Sequence, residues 1–306
     1  MQHKANRYPL LSVPFYLCIK KECKKILKKI IRTDYDIFKA MTKGACKKMQ
    51  KSEITVCHEY TETPEVKSMV THIHETNELY LFISGNAKCY VEGAVYPLHP
   101  GDVMVMKRAE AHSILISSYT PYEYISVHFA DGDVFGGDEI LNFIHIRPLG
   151  RNNLYPNSEF EQKNWCDYFK KLRSAEIETQ RKIYLSVLLL ELGQSYAQID
   201  EVTPSATDGV GEMIGYVNSH LTEDINLDTL CARFYISKAQ LNRKFRQMTG
   251  STVWQYILAK RLLLAKELLQ KGERPTDVFT KCGFKDYCSF FLAFKARFDV
   301  SPKEIN

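Results

Sequence analysis

The 306-residue chain lacks most of the features that place a protein quickly. Its nine cysteines (Cys18, Cys23, Cys46, Cys57, Cys89, Cys166, Cys231, Cys282 and Cys288) are odd in number and scattered, with no C-x-x-C pair. That pattern indicates neither a disulfide framework nor a thiolate zinc site, and the thiols read as reduced packing residues. No apolar run is long. The best candidate, Leu10–Ile19, is interrupted by Pro14 and followed by Lys20-Lys21 in place of a small-residue cleavage site. It is too short to span a bilayer. There is no Walker loop, no G-x-S-x-G and no H-E-x-x-H, so the commonest catalytic signatures are missing. The expectation is a cytoplasmic protein, not an enzyme and without a membrane partner, long enough for two domains.

What is present is unevenly charged. The total of +5 conceals a segregation: residues 1–50 carry +10, residues 51–205 carry −9 and residues 206–306 carry +4. An acidic middle between basic ends suggests parts with different partners. Within 17–32 a narrow stripe of Cys23, Ile26, Leu27, Ile30 and Ile31 is flanked by six lysines. It reads as a basic amphipathic helix or as a solvated one docked by its stripe. A later translation start at Met41 or Met49 is a third option, and the sequence does not choose among them.

From residue 52 to about 130 short β-rich runs predominate: Ile54–Cys57, Leu79–Ile83, Lys88–Val91, Val103–Met106, Ile114–Ile116 and Tyr122–Phe129. Turn signals at Ser84-Gly85-Asn86, Glu92-Gly93, Pro100-Gly101 and Pro121 separate them, which predicts an antiparallel barrel or jelly roll. Residues 131–157 read as irregular. Helical periodicity follows, over Ser158–Ser174 and Glu178–Ile199, the second so apolar that it needs cover on two sides, from the barrel and from a second subunit. Residues 201–209 read as a linker. After it come short helices: Val210–Leu221, Leu227–Phe234, Lys238–Thr249 capped by Ser237, Thr252–Gln270, Pro275–Cys282, and one capped by Asp286 that runs to Phe298.

Two helices joined by a tight turn, the second capped and basic, is helix-turn-helix organisation. Over residues 210–306 the chain resembles the AraC/XylS family of bacterial transcription regulators. The resemblance rests on Leu241 and Phe245, Thr249-Gly250, Arg261 with Ala265-Lys266 and Leu268-Leu269, Gly283-Phe284, Phe294-Lys295 and Ser301-Pro302. It implies two helix-turn-helix units joined by a linker helix about 28 Å long at ~1.5 Å per residue. That separation suits successive major-groove turns, which recur every ~34 Å. In the first recognition helix Ala239, Asn242 and Arg243 match base-facing positions, with Gln240 beside them; Arg suits guanine, and Asn or Gln suits adenine. Lys238, Lys244 and Arg246 suit phosphates. The second unit offers Lys285, Tyr287, Cys288 and Ser289, but Leu292 stands where the family has Arg, and Phe279 stands where a small residue lets two helices approach. The second unit is therefore expected to anchor more than to read.

In the acidic middle, His72-x-His74-x3-Glu78-x6-Gly85 looks like the first cupin motif, and Pro100-Gly101-Asp102 with His112 like the second. Alternation puts His72 and His74 on one strand face. A three-histidine and carboxylate set suits Fe, Mn, Ni or Zn. Departures are Val66, where the motif has Gly, and Lys107-Arg108-Ala109-Glu110 before His112. A metal at His72, His74, Glu78 and His112, a polar pocket and a structural network all stay open here, with no cofactor as the default. The resemblance implies a multidomain chain: a basic extension (1–50), an N-terminal all-β cupin-like effector barrel (51–157), appended dimerisation helices (158–200), a linker (201–209) and a C-terminal all-α double helix-turn-helix domain (210–306). Implied partners are a double-stranded DNA operator, a small-molecule effector, a second copy of the chain and RNA polymerase. Effector candidates are His72, His74, Glu78, Tyr80, Phe82, Met104, Met106, His112 and Tyr124, a mixture of aromatic faces and polar groups that would suit a sugar. Competing readings are a metal-dependent cupin enzyme or metal sensor fused to a DNA-binding domain, and an architectural DNA binder whose barrel only dimerises.

Overall fold

The computed structural model describes residues 54–66, 71–160, 163–196, 209–249 and 251–305. The basic extension and nearly all of the expected linker lie outside the described residues. Among the described residues eight strands build two antiparallel sheets: β1 Thr55–Thr61, β2 Asn77–Ser84, β3 Ala87–Val91, β4 Ala94–Leu98, β5 Val103–Met106, β6 His112–Ile116, β7 Tyr122–Phe129 and β8 Leu154–Tyr155. One sheet has the order β1-β7-β2-β5-β8 and the other β4-β3-β6. Strand β4 was not expected, because Pro97 weakens its β signal. It lies at a sheet edge, the position that tolerates a residue with no N–H to donate.

Alternation along β2 divides two cores. Tyr80 and Phe82 face inward and pack with Met104, Met106, Cys89, Tyr96 and Tyr122 between the sheets. Leu79 and Leu81 face the other way, onto helices. Those helices are α1 Gly137–Ile146, α2 Asn157–Phe160, α3 Trp165–Ser174 and α4 Glu178–Tyr196. Two expectations need correction. Residues 131–157 are not irregular throughout, since α1 buries Leu141, Phe143 and Ile144 despite its Gly-rich entrance. The helix expected over 158–174 is two helices, with Asn164 in a left-handed conformation before α3.

The C-terminal domain comprises α5 Val210–Ser219, α6 Leu227–Phe234, α7 Lys238–Thr249, α8 Val253–Gln270, α9 Pro275–Lys281 and α10 Tyr287–Phe298. Helix α8 belongs to both halves. Val253, Tyr256 and Ile257 pack with Leu241, Phe245 and Met213, and Leu262, Ala265 and Leu269 pack with Val278, Phe290 and Phe294. At ~1.5 Å per residue its 18 residues span about 27 Å. Thr252 and Gln255 form a reciprocal capping box that fixes its start.

Candidate nucleic-acid interface and barrel site

Helix α7 is held to the domain by Leu241 and Phe245, both fully buried, and at its end by buried Thr249. Ala239, Gln240, Arg243 and Arg246 are exposed, while Asn242 and Lys244 are half-buried. A surface groove runs along Ala239, Asn242, Arg243, Arg246, Gln247 and Thr252. Gln247 and Thr252 were not anticipated; Gln247 lies one helical turn beyond Arg243, a spacing that could have revealed it. Gln240 is committed elsewhere. Its Oε1 accepts from Ser237 N at 3.0 Å, and Ser237 Oγ accepts from Gln240 N at 3.2 Å. That capping box leaves the amide only its N–H donors for a base. Lys238 pairs with Asp228 at 2.7 Å at the surface, where such pairs exchange readily for phosphate.

The second recognition helix, α10, is capped alike, with Ser289 N donating to Asp286 Oδ1 at 2.8 Å. Its outward side is different. Cys288 and Lys295 are exposed, and so is Leu292, at 42%. Tyr287 is half-buried and meets Phe279 edge-on at 5.7 Å between ring centroids. The bulky ring at Phe279 is thus accommodated against Tyr287, which leaves that tyrosine tied to the domain. Lys285 pairs with Asp224 at 2.9 Å.

Arg261 on α8 joins the two units. Its guanidinium, buried to 5% exposure, donates to Leu221 O at 2.8 Å, Glu223 O at 2.7 Å and Gly283 O at 2.7 Å. Gly283, at φ +79°, is required there, because a Cβ would lie 2.9 Å from both Arg261 Cζ and Thr222 O.

In the barrel, the four cupin-motif residues meet. Ligand-capable atoms of His72, His74, Glu78 and His112 all lie within 4.8 Å of one another. Glu78 Oε2 contacts His74 Nε2 at 2.9 Å and His112 Nε2 at 3.0 Å. The other ring nitrogens are held by backbone carbonyls: His74 Nδ1 donates to Thr76 O at 2.7 Å and His112 Nδ1 to Glu110 O at 2.9 Å. Burial alone would raise the Glu78 pKa, but His128, His112 and His74 hold it well below the usual carboxylate range. Burial opposes charge on His112, yet Glu78 raises its pKa overall. His128 was missed. It pairs with Glu78 across β2 and β7 and lies 3.8 Å from Glu78 Oε1, two alternations beyond the expected Tyr124. Tyr80 bonds the Tyr122 hydroxyl and stacks on Tyr124, so the expected Tyr80 and Tyr124 form one wall with Tyr122, which the sequence reading missed. Glu110, where the motif departs, is fully buried and pairs with Arg147 at 2.7 Å, giving the loop before His112 a rigid base.

Among the described residues no helix is long and apolar enough to cross a membrane. A helix-turn-helix domain model matches residues 230–306, and a cupin domain model matches residues 60–128. The transcriptional activator RhaS of Escherichia coli is 24% identical over 253 residues, covering 76% of this chain and 86% of RhaS. Among solved structures, ToxT from Vibrio cholerae aligns over 82% of this chain and 97% of its own at 14% identity and a TM-score of 0.36. The DNA-binding domain of AdpA, solved with a target DNA, aligns over 32% of this chain and 89% of its own at 30% identity and a TM-score of 0.31. The chain thus carries a cupin barrel followed by a helix-turn-helix domain, and it is homologous to a transcriptional activator of the AraC type, RhaS, the kind of regulator its sequence resembles.

Proposed function

We propose that the chain is a cytoplasmic, effector-responsive activator that senses a small molecule in its barrel and acts as a homodimer with RNA polymerase. The observation carrying this reading is the polar cluster of half-buried His72 and His74 with buried Glu78 and His112, beside the aromatic wall of Tyr80, Tyr122 and Tyr124. Polar groups next to aromatic faces suit a small polar ligand such as a sugar. Dimerisation is assigned to α4, whose outer stripe of Ile183, Val187 and Leu190 remains 46%, 37% and 45% exposed. Its opposite face, Leu185, Leu188, Leu189 and Leu192, is consumed by the barrel. For DNA, the first unit reads bases through Arg243 and Asn242, and the second anchors to the backbone. Genomic footprinting with and without candidate effectors tests the whole reading. Ligand-independent occupancy and promoter output would leave an architectural binder instead.

A second reading, a metal sensor, is favoured by the histidine ring nitrogens. Nδ1 of both His74 and His112 is taken up by a carbonyl, which aims both Nε2 atoms at the same carboxylate oxygen. Carbonyl-held imidazoles converging with an ionised carboxylate are the donor set a divalent transition ion takes. Such an ion would supply a fixed positive charge, held by His72, His74, Glu78 and His112. Elemental analysis of protein purified without chelator separates the readings: stoichiometric metal lost on His72→Ala or Glu78→Ala selects the sensor, or an enzyme, over the organic-ligand pocket.

A further inference from the structure

The turns that lead into the two recognition helices meet the same backbone demand with different residues. In each, one residue takes the left-handed conformation and the next turns toward the core. The second unit uses Gly283, at φ +79°, followed by Phe284. The first uses Tyr235, at φ 53°, followed by Ile236. Glycine adopts this conformation freely, whereas a side chain brings its Cβ against the following carbonyl. Tyr235 is the only aromatic among the non-glycine residues at positive φ in the described part of the chain. Asn152, Asn164 and Asp299 are of the types that tolerate it; a bulky ring there is an outlier.

The turn is held from inside. Tyr235 N and Ile236 N both donate to Cys231 O, the second at 3.1 Å, and Ile236 packs on the core that contains Leu241 and Phe245. The tyrosine ring adds nothing to that core. It is 94% exposed, the highest value for any large apolar side chain among the described residues. Packing thus gives no return for the strained backbone, but the ring's place in the unit does. In a helix-turn-helix the first helix crosses the DNA backbone and the N-terminal end of the second enters the major groove. The turn between them passes over a sugar-phosphate strand. Tyr235 lies in that turn, two residues before Ser237, the cap of α7.

We propose that Tyr235 is a DNA-backbone contact, its ring along a deoxyribose and its hydroxyl donating to a phosphate oxygen as α7 enters the groove. Tyrosine hydroxyls are among the groups that fix a protein's register on a duplex without reading sequence. The left-handed backbone sends this side chain outward while Ile236 stays in. Gly283 has no side chain to offer at the matching turn, and Arg261 fills the space a Cβ would take. The inference rests on the DNA-reading role proposed for α7.

The test uses the full chain and a random-sequence DNA duplex, with affinity read by fluorescence anisotropy over a range of salt. Tyr235→Phe keeps the ring and the backbone and loses the hydroxyl. It is expected to weaken binding about fivefold, the worth of one neutral hydrogen bond, with the salt dependence unchanged. Tyr235→Gly removes ring and strain together, and is expected to raise the Tm while weakening binding further than Tyr235→Phe does. Stability and affinity lost together in Tyr235→Gly would mark a merely structural residue and overturn the inference. Arg246→Gln, on the same helix, reports on α7 itself: it should weaken binding and flatten the salt dependence. If it does so while Tyr235→Phe binds as tightly as the unmodified chain, the inference is overturned and the role of α7 stands. If neither variant changes affinity, the role of α7 falls and the inference falls with it.

Discussion

The two helix-turn-helix units share a linker helix and a capping scheme, yet present different chemistry. Each recognition helix starts from a side-chain cap, Ser237 in one and Asp286 in the other, and each is pinned by two buried residues one turn apart, Leu241 with Phe245 and Phe290 with Phe294. Outward, α7 offers Arg243, Arg246 and Gln247, whereas α10 offers Cys288, Leu292 and Lys295. A leucine can touch a thymine methyl but cannot fork onto guanine. The scaffold is thus duplicated and the reading surface is not, which is why the first unit is assigned specificity and the second backbone affinity.

Five substitutions sharpen that contrast, from the largest effect to the smallest. Arg261→Ala removes the tie between the units and leaves three backbone carbonyls without their donor. A loss of about 3 kcal/mol in stability is expected, read by denaturant unfolding, because each buried group left unsatisfied costs about 1–3 kcal/mol and water recovers part of it. Arg243→Ala is expected to cost about 1–3 kcal/mol at its preferred base pair and little on other sequences, measured by competition binding. Ser237→Ala and Asp286→Ala each remove a cap worth about 1 kcal/mol, visible as a lowered Tm. If only one cap matters, the structural equivalence of the units fails. Ser289→Ala is expected to change affinity by a few tenths of a kcal/mol across all sequences, in line with a surface substitution.

Legibility in the sequence followed the range of the interactions involved. Caps, turns and the Leu241/Phe245 spacing are local, and the helices of the C-terminal domain stand where their signals put them. Alternation leaves the phase of the barrel strands open, and packing between the sheets sets it, with Tyr80, Phe82, Met104 and Met106 inward. Strand β4 was hidden by Pro97, and α1 by its glycines, because only tertiary packing makes those segments regular. His128 was two alternations from an expected residue, so a stricter use of strand phase would have found it. The contact of the β3–β4 turn with α8 is out of reach of such signals. Glu92-Gly93 carries the turn signal and forms the turn, but the lysine that answers Glu92, Lys260, lies 168 residues away in the chain. Likewise Gln240 carries a capping bond that its base-facing position does not reveal.

The most direct measurement is binding-site selection from a random DNA library, run in parallel on the unmodified chain, Arg243→Ala and Ser289→Ala. The account predicts a selected motif with one informative half, lost with Arg243→Ala and unchanged with Ser289→Ala. Two equally informative halves, each erased by the substitution in its own unit, would contradict it.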